Sequence, residues 1–146
     1  MIREFVEHWE KNKDNLRDYL KTHPQEGYGE YKDLVKLLFD HVINPEREKP
    51  SYWHYNSAYN TDNILVIDDG DYQGTLIFIL HENAYQPGVA EYVYTHVYYG
   101  SCSGCDTLLG ISSYSSDLPT DEQVEDYMEL CLHLLQHCKR MVDEED

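Results

Sequence analysis

Between Pro50 and Cys138 the chain has no lysine and no arginine, while thirteen aspartates and glutamates fall in the same span. Nucleic-acid affinity comes largely from Lys and Arg neutralising phosphates. That absence argues against direct DNA or RNA binding by the central part of the chain. Long apolar runs are missing too. None approaches the ~20 residues that a membrane helix needs, so no span is expected. The first stretch, MIREFVEHWEKNKDN, is amphipathic and rich in acids, unlike a secretory signal. The expected location is the cytoplasm, or the host cytoplasm if the gene is viral. Catalytic signatures are also absent: no Gly-rich phosphate loop, no Ser-His-Asp order, no His-Glu-x-x-His and no paired carboxylates. No catalytic residue is therefore assigned, and the balance leans away from an enzyme. Cysteine is sparse, with four in the chain. In a reducing compartment these suggest thiols or metal ligands before disulfides.

What is present is acid. The 146 residues carry a net charge of −17, distributed unevenly, since the first 49 residues hold nine basic against eleven acidic side chains. Such a field speeds association with a basic partner, although solubility alone would also account for it. The length is that of one domain able to bury a core without crosslinks.

Periodicity orders the chain. Ile2, Phe5, Val6, Trp9, Leu16, Tyr19 and Leu20 share one helical face, interrupted by Asn12 and Lys13. This helix is expected to end near Thr22, because His23 precedes Pro24. Tyr31, Leu34, Val35, Leu38 and Val42 predict a second helix ending before Pro45, packed antiparallel to the first. Ser51-Tyr52-Trp53-His54-Tyr55 reads as an ordered aromatic loop or a short edge strand. Ile64–Ile67 and Thr75–His81 predict a hairpin about Asp68-Asp69-Gly70-Asp71-Tyr72-Gln73-Gly74, and Glu91–Tyr99 a third strand. Ser112–Ser116 is a polar loop. Thr120, with Gln123 three residues on, opens a last helix through a capping box. Its apolar stripe of Val124, Tyr127, Met128, Cys131, Leu134, Leu135, Cys138 and Met141 carries it to about 142, with Lys139 and Arg140 suiting its end.

The expected fold is α+β and a single domain over 1–146. A three- to four-stranded antiparallel meander is covered on one face by two N-terminal helices and a C-terminal helix. Its parts are a helical pair at 1–43, a sheet with a Cys-x-x-Cys loop at 51–111, and the closing helix at 120–142.

Two features could carry chemistry. In the third strand Tyr92, Tyr94, His96 and Tyr98 point one way and Val93, Thr95, Val97 and Tyr99 the other. A tyrosine row opposite the helices has the composition of a binding surface. The same rings could instead pack against the aromatic loop around Trp53. The second feature is Cys102-Ser103-Gly104-Cys105. It has the spacing of half a zinc site, which Cys131, His133, His137 and Cys138 could complete. Against that, Cys131 and Cys138 lie in the apolar stripe and read as buried thiols, while His133 and His137 sit on its polar flank. A redox pair lacks a long following helix and a nearby cation to lower a thiol pKa. A nucleophilic cysteine with His96 or His81 as base has no supporting motif, and a purely structural Gly-rich turn stays open. Asp68, Asp69 and Asp71 could hold a hard cation, but the later bidentate Glu of an EF-hand is missing and a hairpin turn is the simpler reading.

The run Val97-Tyr98-Tyr99-Gly100-Ser101-Cys102-Ser103-Gly104-Cys105-Asp106-Thr107-Leu108, with an amphipathic helix later on, resembles a motif in small uncharacterised proteins of bacteriophages and prophages. The likeness is carried by 97–108 and weakens through the last helix. It implies an origin in mobile elements and transfers no catalytic residue. Small acidic phage proteins often act by occupying a basic surface of a host or defence protein. The resulting expectation is a binding or inhibitory protein that docks such a surface, as a mimic of nucleic-acid charge. Tyr92, Tyr94, His96, Tyr98, Asp68, Asp69 and Asp71 would form its face. A zinc or thiol protein centred on Cys102 and Cys105, and an assembly component that forms a homo-oligomer, are the alternatives.

Overall fold

The first helix, α1 (Arg3–Thr22), is set by apolar residues three and four apart: Phe5, Trp9, Leu16 and Leu20 are buried along one side. It ends where His23, ahead of Pro24, turns to extended angles (φ −128°, ψ 122°). A computed structural model describes residues 1–25, 30–48, 57–101, 106–111 and 118–142. The proposed aromatic strand at 51–55, the Cys-x-x-Cys loop and the polar loop at 112–116 lie outside them.

Helix α2 (Tyr31–Leu38) opens with a capping box between Glu30 and Asp33 and buries Tyr31, Leu34, Val35 and Leu38. It widens into a π-turn at Phe39–Ile43, and a 3-10 turn at Asn44–Glu46 carries Pro45. A proline cannot continue an α-helix, having no N–H to donate. Asn12, which breaks the apolar stripe of α1, ties down this helix end. Its buried side-chain amide donates to the Val42 carbonyl (3.0 Å) and to Glu46 Oε1 (3.1 Å).

The sheet is antiparallel in the order β1-β2-β3-β4, with β1 Leu65–Asp68, β2 Gly74–His81, β3 Tyr92–Tyr99 and β4 Lys139–Arg140. A short helix α3 (Thr107–Ile111) follows β3, and α4 (Asp121–Gln136) starts at the Thr120/Gln123 capping box. The helices cover the sheet face that carries Phe78, Leu80, Val93 and Thr95, all buried. Phe78, Leu80 and Val93 join Phe5, Leu16, Leu38, Phe39, Val124 and Leu135 in one core. Burying each such side chain contributes roughly 1.5–3 kcal/mol. The Thr95 hydroxyl is satisfied by donating to the Leu134 carbonyl (2.6 Å), which ties β3 to α4. The α+β arrangement matches the expectation from sequence.

One local expectation is corrected: the last helix stops at Gln136 and not near 142, and a short strand, β4, follows it. After α4 the chain reverses, burying Cys138. Lys139 and Arg140 then pair with Tyr94 and Val93, and the Met141 amide donates to the Tyr92 carbonyl (3.1 Å). The open edge of β3 supplies these bonds, and Glu4 of α1 supplies an ion pair to Arg140 at 3.3 Å. A continued helix would forgo both. Among the described residues no helix is long and apolar enough to cross a membrane.

Candidate functional site

Side chains alternate across a strand, so a sheet with helices on one face presents a second, independent set on the other. Here that set is Leu65 and Ile67 from β1, Thr75, Ile77, Ile79 and His81 from β2, and Tyr92, Tyr94, His96 and Tyr98 from β3. The register places Leu65 beside Ile79 and Ile79 beside Tyr94, and Ile67 beside Ile77 and Ile77 beside His96. Tyr98 is 70% exposed, Leu65 57% and Ile67 45%. Tyr92, Tyr94 and His96 are half-buried. No acid and no base other than histidine stands among these ten, while Lys139 pairs beside Tyr94 at the β4 edge. Sequence reasoning singled out the tyrosines and missed the aliphatic half of the face, although the period of two in Thr75, Ile77 and Ile79 carries it.

His96 is the most structured member of the row. Its ring stacks on that of His137 at 4.4 Å and 10°, and meets Tyr98 edge-on at 5.7 Å. His137 Nδ1 donates to the His96 carbonyl (3.1 Å), which fixes the tautomer of the neutral ring. Burial, then the neighbouring His137 and Lys139, holds His96 below the usual imidazole value.

The acidic turn adjoins the Tyr98 end of β3. The Asp69 amide donates to the Thr75 carbonyl (3.2 Å), and Asp69 Oδ1 accepts from the Thr75 amide (2.6 Å). Asp68 Oδ1 accepts from the Gly70 amide (2.9 Å) and from the Tyr99 hydroxyl (2.5 Å). The Tyr99 bond, then the Gly70 bond, lowers the Asp68 pKa, and the same hydroxyl–carboxylate bond pushes Tyr99 up to about 12. Two glycines make the turn possible. A Cβ on Gly70 would stand 2.0 Å from the Gln73 carbonyl oxygen, and one on Gly74 2.7 Å from Asp69 Oδ1. Asp68 and Asp69 thus shape the turn with one oxygen each and keep their charge at the surface. Asp71 is exposed beside them.

Asp106 was not foreseen. It is buried, and Tyr31 donates to its Oδ1 (2.8 Å), the Leu109 amide to the same oxygen (3.0 Å) and the Gly100 amide to Oδ2 (2.8 Å). The Leu108 amide in turn donates to the Tyr31 hydroxyl (3.1 Å). One carboxylate therefore pins Gly100 and Asp106, the residues flanking the Cys-x-x-Cys segment, to the start of α2 and caps α3. The signal was an aspartate immediately before Thr-Leu-Leu, in the position of a helix cap. Above this anchor a cleft of about 370 Å³ opens between Tyr31, Leu108 and the inner side of β1, with Val66, Asp68 and Tyr99 on its wall.

Cys102 and Cys105 lie outside the described residues. Cys131 and Cys138 are free thiols in the core, and burial pushes both up to about 12. Cys138 spends its S–H on the Leu134 carbonyl (3.4 Å). His133 is exposed near the end of α4 and His137 stacks on His96; the two histidines line one pocket with Tyr98 and Thr107. Among the described residues no group of three or more His, Cys, Asp or Glu could hold a metal ion.

Compared with known proteins, the chain matches no family model, no curated protein and no solved structure.

Proposed function

We propose that this protein is a non-enzymatic binding protein that docks a basic surface of another protein through the open face of its sheet. The observation that carries the reading is the contrast within one surface. A field of Ile, Leu and Tyr side chains, with Tyr98 and Leu65 more than half exposed, adjoins a turn of three surface carboxylates. Exposed apolar patches rimmed by polar groups are the usual form of a protein-docking site. The apolar field would supply affinity and the acidic rim orientation and encounter rate. In the phage-type reading the partner is a host or defence protein, and the carboxylates stand where that partner would otherwise hold nucleic-acid phosphates.

The test is site-specific crosslinking in cells that express the gene. A photoreactive residue is placed at Tyr98 and, as control, at Glu7 on the exposed side of α1. The expected result is one dominant partner trapped at Tyr98 and not at Glu7, with a Lys/Arg-rich surface and a complex that weakens as salt rises. Equal trapping at both positions, or an affinity flat with salt, would refute the proposal.

A further inference from the structure

The outer edge of the sheet is as unusual as its face. Strand β1 reads Leu-Val-Ile-Asp, and all four residues are exposed, including Val66 at 38%. Among the described residues it pairs only with β2. Soluble proteins protect such edges with lysine, proline or a bulge, because unpaired N–H and C=O groups are a template for another strand. None of these three is present in β1, whose only guards are its four-residue length and Asp68.

The register shows which groups are on offer. Asp69 and Thr75 form a hydrogen-bonded pair across the hairpin, and such pairs recur at every second residue. Ile67 and Leu65 therefore spend their amides and carbonyls on β2, whereas those of Val66 and Asp68 point outward. The side chains alternate as well. Leu65 and Ile67 continue the open apolar face, while Val66 and Asp68 border the cleft under the sheet.

We infer that β1 is completed by an extended segment of a basic partner protein, added as a fifth strand. This rests on the binding reading above and specifies its mode, which is recognition by strand addition. Charge chooses the occupant. A second copy would set one −17 chain against another, whereas a basic segment meets Asp68, Asp69 and Asp71. Alternation chooses the pattern. Apolar side chains of the incoming strand extend the Leu65–Ile67 row. Lysines or arginines on its other side lay their stems over Val66 and bring their charge to Asp68 and Glu30 at the mouth of the cleft, where the two carboxylates outnumber the one cation, Lys32.

The probe is a short synthetic peptide of alternating lysine and valine, with a glutamate–valine peptide as control. The readout is amide hydrogen exchange of the intact protein, residue by residue. The lysine peptide is expected to slow exchange at Val66 and Asp68 by about tenfold or more, and the glutamate peptide to leave both unchanged. Val66→Pro removes an outward-facing donor without touching the β1–β2 ladder, a position where proline is tolerated. It should bind the lysine peptide roughly tenfold more weakly. Should that variant not fold, the exchange pattern of the unsubstituted protein still decides. Three results would overturn the inference: no binding, binding without slowed exchange at Val66 and Asp68, or a folded Val66→Pro that binds undiminished. Concentration-dependent protection at Val66 in the protein alone would assign the edge to a second copy and overturn it equally. If the peptide instead perturbs only Tyr94 and Tyr98, edge pairing fails while the face reading survives. Loss of selective crosslinking at Tyr98 would sink that reading separately.

Discussion

Removing the Asp106 carboxylate should be among the most damaging single changes in this protein. Asp106→Ala takes away an acceptor used by the Tyr31 hydroxyl and the Gly100 and Leu109 amides. Hydrogen bonds to a charged acceptor contribute about 1.5–3 kcal/mol each, and a buried donor left unpaired costs about 1–3 kcal/mol. The Tyr31 hydroxyl is buried, while the bonds from Gly100 and Leu109 are only partly so and can regain water. Counting the first in full and the others at half gives roughly 3–6 kcal/mol, a large share of a domain stability of about 5–15 kcal/mol. Tyr31→Phe should cost less, about 1–3 kcal/mol, because Asp106 keeps its two amide donors. Urea unfolding followed by tryptophan fluorescence measures both. The midpoints should fall with little change in slope. The double variant should be less damaged than the sum of the singles, since both act on one bond. A cost for Asp106→Ala under about 1 kcal/mol, or strict additivity with Tyr31→Phe, would refute the claim that one carboxylate holds α2, β3 and α3 together.

Three further outcomes follow from the same structure. Native protein treated with a thiol reagent should leave Cys131 and Cys138 unmodified, since both are fully buried with pKa values of about 12, and both should react once denaturant is added; modification at native pace would place them outside the core. Because burial depresses the His96 pKa, the unfolded chain takes up that proton first. The stability linked to His96 should be intact above about pH 6.5 and lost as pH falls through the lower folded value. His96→Gln should flatten that part of the profile, and a wild-type-to-variant difference that does not change with pH would contradict it. Replacing Asp68, Asp69 and Asp71 together by Asn should leave stability nearly unchanged. It should slow association with the partner trapped at Tyr98 more than it speeds dissociation; an effect confined to dissociation would count against steering.

The elements that sequence made legible are those whose cause is local. The strands follow from alternation, α1 from spacing and the Pro24 stop, and the start of α4 from Thr120 and Gln123. What stayed hidden depends on distant partners. The stripe from Val124 to Met141 has helical period throughout, and Cys138 is buried whether or not the helix continues. Only β3's open edge and Glu4, far away in sequence, decide that Lys139 and Arg140 become a strand. Asn12 looked like a flaw in an apolar face because the carbonyl it satisfies belongs to Val42. The Tyr92–Tyr98 row was readable as a face, yet its neighbours Ile77 and Ile79 enter it only through register. Asp106 announces a cap, but its bond to Tyr31 spans 75 residues and no local pattern encodes it.

The acidic turn separates what the fold needs from what it does not. The turn uses Oδ1 of Asp68 and of Asp69 as acceptors for nearby amides. An asparagine oxygen accepts in the same way and is equally at home in such turns. The geometry of the turn does not require the negative charge, although the Tyr99 hydroxyl favours it at Asp68. The charge carries a cost, because three like charges within four residues of a −17 chain repel one another. Lys32 borders the cleft beside Asp68, but other cations are committed elsewhere: Arg47 to Glu4 and Glu82, Arg17 to Asp14 and Glu125, Lys36 to Asp40 and Asp62, and Arg140 to Glu4. Exposed acids spread evenly would serve solubility as well. A cluster held at the one end of the sheet where Tyr98, the β1 edge and the cleft meet serves encounter with a cation better. The same placement supplies the outward carbonyls of Val66 and Asp68 with charge that a lysine-bearing strand can neutralise as it pairs.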